Sequence, residues 1–220
     1  MDNLLIKDVV YKYKSGDRDV LKNVNAYFET GHMYSVVGPS GSGKTTLLSI
    51  MAGLDTPTSG SVYIGGEDVK TLNLNEYRSK RIAVIFQAFQ LFPLLTTVEN
   101  VSYPLEFMGT HRKEATDRAK VLLNSVGIDE NKHKRYPANL SGGEQQRVAI
   151  ARALSTGAKV ILADEPTGNL DLANGRAVID ILQKLAHEEQ YCVIVVTHNQ
   201  EIADISDNVY RMSDGVLSEV

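Results

Sequence analysis

Eight residues near position 40 have the types and spacing of a phosphate-binding loop. The segment Gly38-Pro39-Ser40-Gly41-Ser42-Gly43-Lys44-Thr45 matches G-x-x-x-x-G-K-[ST] at every fixed position. Its glycines let backbone N–H groups turn towards phosphate oxygens, and a helix beginning near Lys44 would point its positive end at the same anion. The Lys44 ammonium would reach the β- and γ-phosphates, and the Thr45 hydroxyl would bind Mg²⁺. The motif predicts nucleotide binding, but alone it does not distinguish a kinase, a GTPase, a helicase or a transport ATPase.

Two acidic residues follow an apolar run later in the chain. Residues 160–163 are typical of a buried strand, and Asp164 and Glu165 come directly after it. Carboxylates at the carboxyl end of a parallel strand lie at the ligand-binding edge of the sheet. Asp164 could hold Mg²⁺ through water, and Glu165, pointing in another direction, could orient an attacking water. Next to a complete phosphate loop, this pair favours a catalytic role over a solvated strand end.

A third segment, Leu140-Ser141-Gly142-Gly143-Glu144-Gln145-Gln146-Arg147, precedes the acidic strand. Ser141 is a good N-cap for a helix expected from residue 142 to 154. The Ser-Gly-Gly opening offers a hydroxyl and free N–H groups at the positive end of that helix, which is a second anion site. One chain therefore carries two segments that are predicted to bind phosphate.

The elements that must position these residues alternate between strand and helix. The pattern predicts strands within 4–28 and at 33–37, 60–64, 82–86, 160–163 and 193–197, and helices at 44–52, 114–126, 142–154 and 175–185. Short apolar runs bounded by polar residues are the right length for central parallel strands. This alternation predicts an α/β fold with a largely parallel core sheet.

The length, charge and cysteine content of the chain limit the class of protein further. The chain has 220 residues, 43% hydrophobic content and a formal charge of -4, so it suits one domain with an inserted subdomain and is a poor general binder of nucleic acid. Its single cysteine, Cys192, excludes an internal disulfide and is expected to be buried. We find no secretory signal and no membrane span, so we expect another polypeptide to supply any span.

The segment 140–147 resembles the signature of ABC ATPases, and further landmarks of that family follow in order. Gln87, after the strand at 82–86, resembles the Q-loop glutamine, residues 168–171 resemble the D-loop, and His198 resembles the switch histidine. Tyr13 stands where the family has an aromatic residue that stacks on adenine, with Tyr11 as a rival. The visible departure is Glu144, where many members have glutamine.

The resemblance implies the fold of a P-loop NTPase. It has a RecA-like core with an N-terminal antiparallel β subdomain (1–87 and 157–220) and an inserted helical subdomain (88–156), together forming one domain over 1–220. It also implies ATP and Mg²⁺ as cofactors, with a homodimer in the ATP-bound state. The residues expected to contact ATP or its metal are Tyr13, Gly38, Ser40, Gly41, Gly43, Lys44, Thr45, Thr46, Gln87, Ser141, Gly143 and Asp164. Thr45, Gln87 and Asp164 would bind the metal, and Glu165, His198 and Lys44 would act in catalysis.

The same resemblance implies a membrane permease as partner and a place at the cytoplasmic face of the membrane. The segment 88–108 is rich in Phe and Leu, so we expect it either to dock the permease through Phe89, Leu91, Phe92, Leu94 and Leu95 or to be a buried loop. Residues 53–60 and 166–171 resemble the branch that releases lipoproteins and exports macrolides or antimicrobial peptides. A regulatory ABC ATPase that signals through a membrane partner is the alternative.

Overall fold

The computed structural model describes residues 2–14 and 16–220. Its strands are β1 (Leu4–Tyr11), β2 (Leu21–Phe28), β3 (Met33–Val37), β4 (Ser59–Ile64), β5 (Glu67–Asp68), β6 (Ile82–Ile85), β7 (Val160–Asp164), β8 (Cys192–Thr197), β9 (Asn208–Ser213) and β10 (Val216–Glu219). Its helices are α1 (Lys44–Met51), α2 (Leu74–Glu76), α3 (Thr97–Phe107), α4 (Arg112–Ser125), α5 (Gly142–Ser155), α6 (Leu172–His187) and α7 (Gln200–Asp204).

The strands form two sheets. An antiparallel sheet has the order β2-β1-β4-β5, and a larger sheet has the order β10-β9-β3-β8-β7-β6. In the larger sheet only β10 pairs in antiparallel fashion; the other neighbours are parallel. This order places β3, β8 and β7 side by side, so the residues that follow these three strands meet at one edge. The predicted α/β class with a mostly parallel core sheet is confirmed.

The central strands are buried on both faces, as parallel strands covered by helices must be. Along β8, Cys192, Ile194 and Val196 join one apolar cluster while Val193 and Val195 join the other, because successive side chains of a strand point to opposite faces. The first cluster continues into the antiparallel sheet and α1. The second includes residues of α3, α4, α5 and α6, and the first three of these helices pack against one another. Cys192 is fully buried, as expected.

The segment 88–108, expected to dock a partner or to be a buried loop, is partly helical. Helix α3 begins after Thr96, whose hydroxyl accepts the Glu99 N–H while the Glu99 carboxylate accepts the Thr96 N–H, a capping box. Pro104 lies inside α3 and removes one backbone donor. Asn100 fixes the preceding loop, since its side-chain amide donates to the carbonyl oxygens of Phe92 and Leu95. A proline therefore lies within a helix that capping and the asparagine stabilise.

Helix α6 also begins earlier than the pattern predicts. The expected start at Gly175 is wrong, because Asp171 caps the helix by accepting the Asn174 N–H at 2.9 Å. The sequence pattern did not predict the C-terminal strands β9 and β10. Among the described residues, no helix has the length and apolar composition needed to cross a bilayer.

Candidate functional site

The phosphate loop joins β3 to α1, as its motif requires. Gly38 is needed because a Cβ there would collide with the carbonyl oxygen of Met212 in the neighbouring strand β9. Gly43 precedes α1 with a φ of 110°, a left-handed conformation that glycine adopts without strain. Within the described chain, no side chain caps α1 and its first turn holds no acidic residue. The N–H groups at this helix start are thus unopposed by any carboxylate of the helix itself.

Lys44 is held inside the loop. Its side-chain nitrogen Nζ donates to the carbonyl oxygens of Gly38 at 2.7 Å and Pro39 at 3.0 Å. The residue is only 8% exposed, so its charge is concentrated at the floor of the loop. A cation in this position, next to the positive end of α1, favours a phosphate group.

The acid pair lies at the end of β7, which is next but one to β3. Burial, and then the nearby charge of Glu165, raise the pKa of Asp164, while Lys44 acts in the opposite direction. The pair therefore concentrates negative charge that a bound cation would relieve.

Glu165 is fixed by the strand next to it. Its N–H donates to the carbonyl oxygen of Val196, and its φ of 47° is unusual for a residue with a side chain. The Thr197 hydroxyl donates to carboxylate oxygen Oε2 at 3.1 Å, and His198 Nδ1 lies 2.7 Å from Oε1. A strained backbone held by such contacts is characteristic of functional positions. The carboxylate is thereby oriented by the last residue of β8 and by the residue that follows it.

Gln87 contacts the segment that follows the acid pair. The Asn169 side-chain amide donates to the Gln87 carbonyl oxygen at 3.0 Å, and the two side chains approach at 3.5 Å. A Cβ on Gly168 would collide with the Gln87 amide, so the glycine permits this close approach. The predicted Q-loop and D-loop segments are therefore neighbours within one chain.

Most of the predicted residues line a single cavity of about 830 Å³, the nucleotide cavity. Its lining comprises Tyr13, Val20, Ser40, Gly41, Gly43, Lys44, Thr45, Thr46, Gln87, Asp164, Glu165 and His198. Val20 was not predicted; it is an apolar residue in a loop, and its type alone carries no indication of a site. Gly38, Ser141 and Gly143 do not line the cavity.

Between the two candidate tyrosines, the structure brings Tyr13 to the cavity. Tyr13 is 46% exposed, and its hydroxyl lies 3.0 Å from the hydroxyl of Thr46. Tyr11 is 8% exposed and belongs to the apolar core, where its ring meets that of Tyr13 edge to face. Only Tyr13 therefore offers a ring to a ligand.

The signature helix α5 presents a different start from α1. Ser141 caps it: the serine hydroxyl accepts the Glu144 N–H, and the Glu144 carboxylate accepts the Ser141 N–H at 2.8 Å. Gly143 packs closely on the Asn174 side chain of α6, which leaves no room for a Cβ. This end of α5 lies against the D-loop and α6.

A second cavity of about 500 Å³, the apolar groove, lies beside the segment 88–108. Its lining includes Leu54, Phe92, Tyr103, Pro104, Phe107 and Arg152. Phe107 is 76% exposed, an unusual state for a large apolar side chain. Of the five apolar residues expected to dock a partner, Phe92 lines the groove. The other four, Phe89, Leu91, Leu94 and Leu95, do not.

Arg152 is a residue that the sequence did not single out. Its guanidinium leaves α5 and donates to the carbonyl oxygens of Gln90 at 2.6 Å and Phe89 at 3.1 Å. It also lies 5.8 Å from the centre of the Phe92 ring, and burial lowers its pKa. One side chain thus ties the signature helix to the wall of the groove.

A phosphate loop, an acid pair and a histidine at one edge of a parallel sheet define a P-loop nucleotide hydrolase. A family model described as ABC transporter matches residues 21–168. The chain belongs to the ABC transporter family, and its ATPase class, expected from the motifs, is confirmed.

Relatives cover this chain almost completely. It is 40% identical over 215 residues to the uncharacterized ABC transporter ATP-binding protein YclH of Bacillus subtilis, covering 98% of this chain and 95% of YclH. It is 43% identical over 219 residues to the macrolide export ATP-binding/permease protein MacB of Shigella flexneri, covering 97% of this chain but only 34% of MacB. The similarity to MacB agrees with the predicted branch, and YclH is uncharacterized.

A solved structure has the same fold throughout. The ATP-binding cassette MJ0796, in a dimeric post-hydrolysis state bound to ADP and Pi, matches with a TM-score of 0.89 and 40% identity, covering 99% of this chain and 97% of that one. This agreement confirms the P-loop NTPase fold expected from the sequence.

Proposed function

We propose that this chain is the ATP-hydrolysing subunit of a membrane exporter and that two copies enclose ATP at shared sites. The observation that carries the proposal is that the phosphate loop and the start of the signature helix lie apart in one chain. The phosphate loop lines the nucleotide cavity, whereas Ser141 and Gly143 lie outside it. A second copy arranged by a two-fold axis would bring its signature helix to the open cavity of the first, making both sites equal. The dimeric state of MJ0796 supports this arrangement.

The cavity residues suit ATP with Mg²⁺. Asp164 offers a half-buried carboxylate, Thr45 a hydroxyl and Gln87 an amide oxygen, and hard cations such as Mg²⁺ prefer oxygen ligands. When bound, the metal would offset the charge on the β- and γ-phosphates. Lys44 would add a second positive charge, and the Tyr13 ring would stack on adenine.

For hydrolysis we assign Glu165 as the general base and His198 as the residue that holds the γ-phosphate and water in line. Glu165 would take a proton from the water as the water oxygen attacks the γ-phosphorus, while the bond from that phosphorus to the β–γ bridging oxygen breaks and ADP leaves with the electron pair. The hydrogen bonds from Thr197 and His198 aim the carboxylate before the reaction, which reduces reorganisation. The dimer would close when ATP binds and reopen after phosphate is lost, and this motion would drive the exporter.

Glu165→Gln tests the assignment because it keeps shape while removing the base. We expect turnover to fall at least about 100-fold while ATP binding persists, so the variant should accumulate as a dimer in size-exclusion chromatography with Mg-ATP. Glu188→Gln, an exposed substitution outside the cavity, is the matched control. A variant that stays monomeric and hydrolyses at the wild-type rate would remove Glu165 from this role. Wild-type turnover per chain should also fall on dilution, since each site needs two chains.

We further propose that the division into a core (1–87 and 157–220) and a helical subdomain (88–156) serves to deliver this motion to a permease at the cytoplasmic face. The apolar groove would receive a short helix of that partner, because Phe92, Tyr103 and Phe107 offer an aromatic wall. The cargo would be lipophilic or peptidic. The MacB relatives favour export over the regulatory alternative.

A charged substitution in the apolar groove tests whether the groove docks the permease. Phe107→Glu should leave basal ATP turnover within about two-fold but abolish co-purification with the membrane permease that the wild-type chain retains, because a carboxylate would lie against an apolar helix. Leu94→Glu, which is 86% exposed but outside the groove, should weaken coupling less. Val121→Glu on α4, at 68% exposure, is the control. Full coupling by a folded Phe107→Glu protein would move the docking surface elsewhere.

A further inference from the structure

The carboxylate of Glu144 in the signature helix has two partners. Oxygen Oε2 accepts the Ser141 N–H at 2.8 Å, and oxygen Oε1 lies 2.9 Å from Nζ of Lys132. The two charged side chains are largely shielded, with 22% exposure for Lys132 and 16% for Glu144. Lys132 also approaches Asp129 at 3.4 Å, but that carboxylate is 72% exposed. The ion pair with Glu144 is thus the better protected of the two.

Lys132 comes from a fixed turn. It ends the 3-10 turn Glu130–Lys132, and the next residue, His133, is 5% exposed with its ring nitrogen Nε2 3.1 Å from the Ile128 carbonyl oxygen. The backbone beyond the turn accepts hydrogen bonds from the start of α3, including Val98 N–H to the His133 carbonyl oxygen at 2.9 Å. The turn is therefore anchored on both sides, and the lysine is presented to Glu144 from a rigid base.

A carboxylate in the first turn of α5 has two opposing effects. It stabilises the helix, because negative charge is favourable at a helix N-terminus. It also weakens the positive field with which that terminus attracts a phosphate, and α1 has no such acid. A glutamate is charged at neutral pH, and the hydrogen bond from Lys132 lowers the pKa of Glu144 further. An uncompensated charge here would oppose a γ-phosphate.

We propose that Lys132 is a positioning residue for the shared ATP site. It balances the charge of Glu144 and holds the Glu144 carboxylate in its hydrogen bond with the Ser141 N–H. The inference rests on the proposed function, in which Ser141 and Gly143 meet the γ-phosphate bound by another copy. In that arrangement Lys132 keeps the end of α5 attractive to an anion although its first turn contains an acid. The departure from glutamine at position 144 is then matched by a lysine in contact with it.

The test compares Lys132→Met, which keeps the aliphatic stem, with Lys132→Arg, which keeps the charge. Both are made in the Glu165→Gln background, and the ATP concentration at half-maximal dimer formation is measured by light scattering. We expect Lys132→Met to raise that concentration about five- to ten-fold and Lys132→Arg to change it less than about two-fold. In the hydrolysing protein, Lys132→Met should raise KM by a similar factor with little change in kcat. Lys120→Met, which breaks an exposed pair with Asp117 on α4, is the matched control.

A second comparison separates charge balance from folding. Adding Lys132→Met to Glu144→Gln should produce no further loss, because no carboxylate remains to be balanced. An equal loss with and without Glu144 would mean that Lys132 acts through the fold, and an unchanged dimerisation curve for Lys132→Met would also overturn the proposal. If Lys132→Met lowers the melting temperature too far for measurement, Lys132→Gln supplies the same uncharged comparison with the same expected loss. Failure of the proposed function would look different, since Glu165→Gln alone would then not dimerise with ATP.

Discussion

Two helices in this protein begin at phosphate motifs, and their first turns are built in opposite ways. Helix α1 follows Gly43, and its start has neither a side-chain cap nor an acidic residue. Helix α5 follows Ser141, whose hydroxyl and N–H are both engaged with Glu144. The first start opens into the nucleotide cavity of its own chain, and the second lies outside it. A helix N-terminus is thus a strong anion site only where the surrounding residues leave its donors available.

The difference suits a site assembled in two steps. The α1 end, with Lys44 beside it, can hold phosphate in a single chain. The α5 end has its own cap, which keeps the helix intact in a single chain, and would contact phosphate only when another copy brings the ligand to it. The predictions below test whether the two ends differ in this manner.

Loss of Lys44 should have the largest effect. Lys44→Ala removes the cation at the floor of the loop and frees the carbonyl oxygens of Gly38 and Pro39 that it now satisfies. We expect ATP affinity, measured by calorimetry on the single chain, to fall about 100-fold or more, because a charge-assisted contact to phosphate is lost. Lys7→Ala on the exposed face of β1 is the control. An unchanged isotherm with intact circular dichroism would contradict the assignment of the α1 end as the primary site.

Sequence reasoning was most successful where a motif is contiguous. Residues 38–45 define both a strand end and a helix start, so their chemistry and local structure follow from one string. The strands β3 and β8 were equally clear, because short apolar runs between polar residues have few other interpretations. That is why the cavity residues at the ends of β3, β7 and β8 could be predicted without coordinates.

Residues that act through distant partners were not predictable. Arg152 contacts carbonyl oxygens more than sixty positions away, at Phe89 and Gln90, and backbone acceptors have no sequence signature. The pair between Lys132 and Glu144 depends on the turn before α5. Helix α3 was also not predicted, although Thr96 and Glu99 have the spacing of a capping box. Arg152 and Lys132 therefore depend on tertiary contacts, whereas the start of α3 depends on local ones.

A substitution at Ser141 should have an intermediate effect, and one that appears only in the dimer. Ser141→Ala removes the cap, at a cost of about 1 kcal/mol in the free energy of unfolding, and it also removes the proposed phosphate contact. We expect ATP affinity of the single chain to stay within about two-fold of the wild type. The ATP requirement for dimer formation in the Glu165→Gln background should rise about ten-fold, because a hydrogen bond to a charged group is worth about 1.5 kcal/mol.

Thr96→Ala is a matched control for the loss of stability. Thr96 and Ser141 both form a capping box with a glutamate three residues on, but Thr96 begins α3, outside the nucleotide cavity. The two variants should lower the melting temperature similarly, and only Ser141→Ala should impair ATP-dependent dimerisation. Equal dimerisation by the two variants would mean that the α5 end holds no phosphate.

The smallest effect should come from Tyr13, which contributes to binding on the α1 side alone. Its ring is 46% exposed at the cavity, and its hydroxyl contacts Thr46. Stacking of a base on an aromatic ring is worth about 1–3 kcal/mol by alanine substitution, and for this half-exposed ring we expect the lower end, so Tyr13→Ala should weaken ATP binding about five-fold. Tyr13→Phe keeps the ring and loses only the contact with Thr46, so its affinity should stay within about two-fold. Every base offers a π-face, and therefore GTP should lose as much affinity as ATP in Tyr13→Ala. A loss confined to ATP would indicate recognition of the base edge instead of stacking, and equal losses for Phe and Ala would assign the effect to the hydroxyl that meets Thr46.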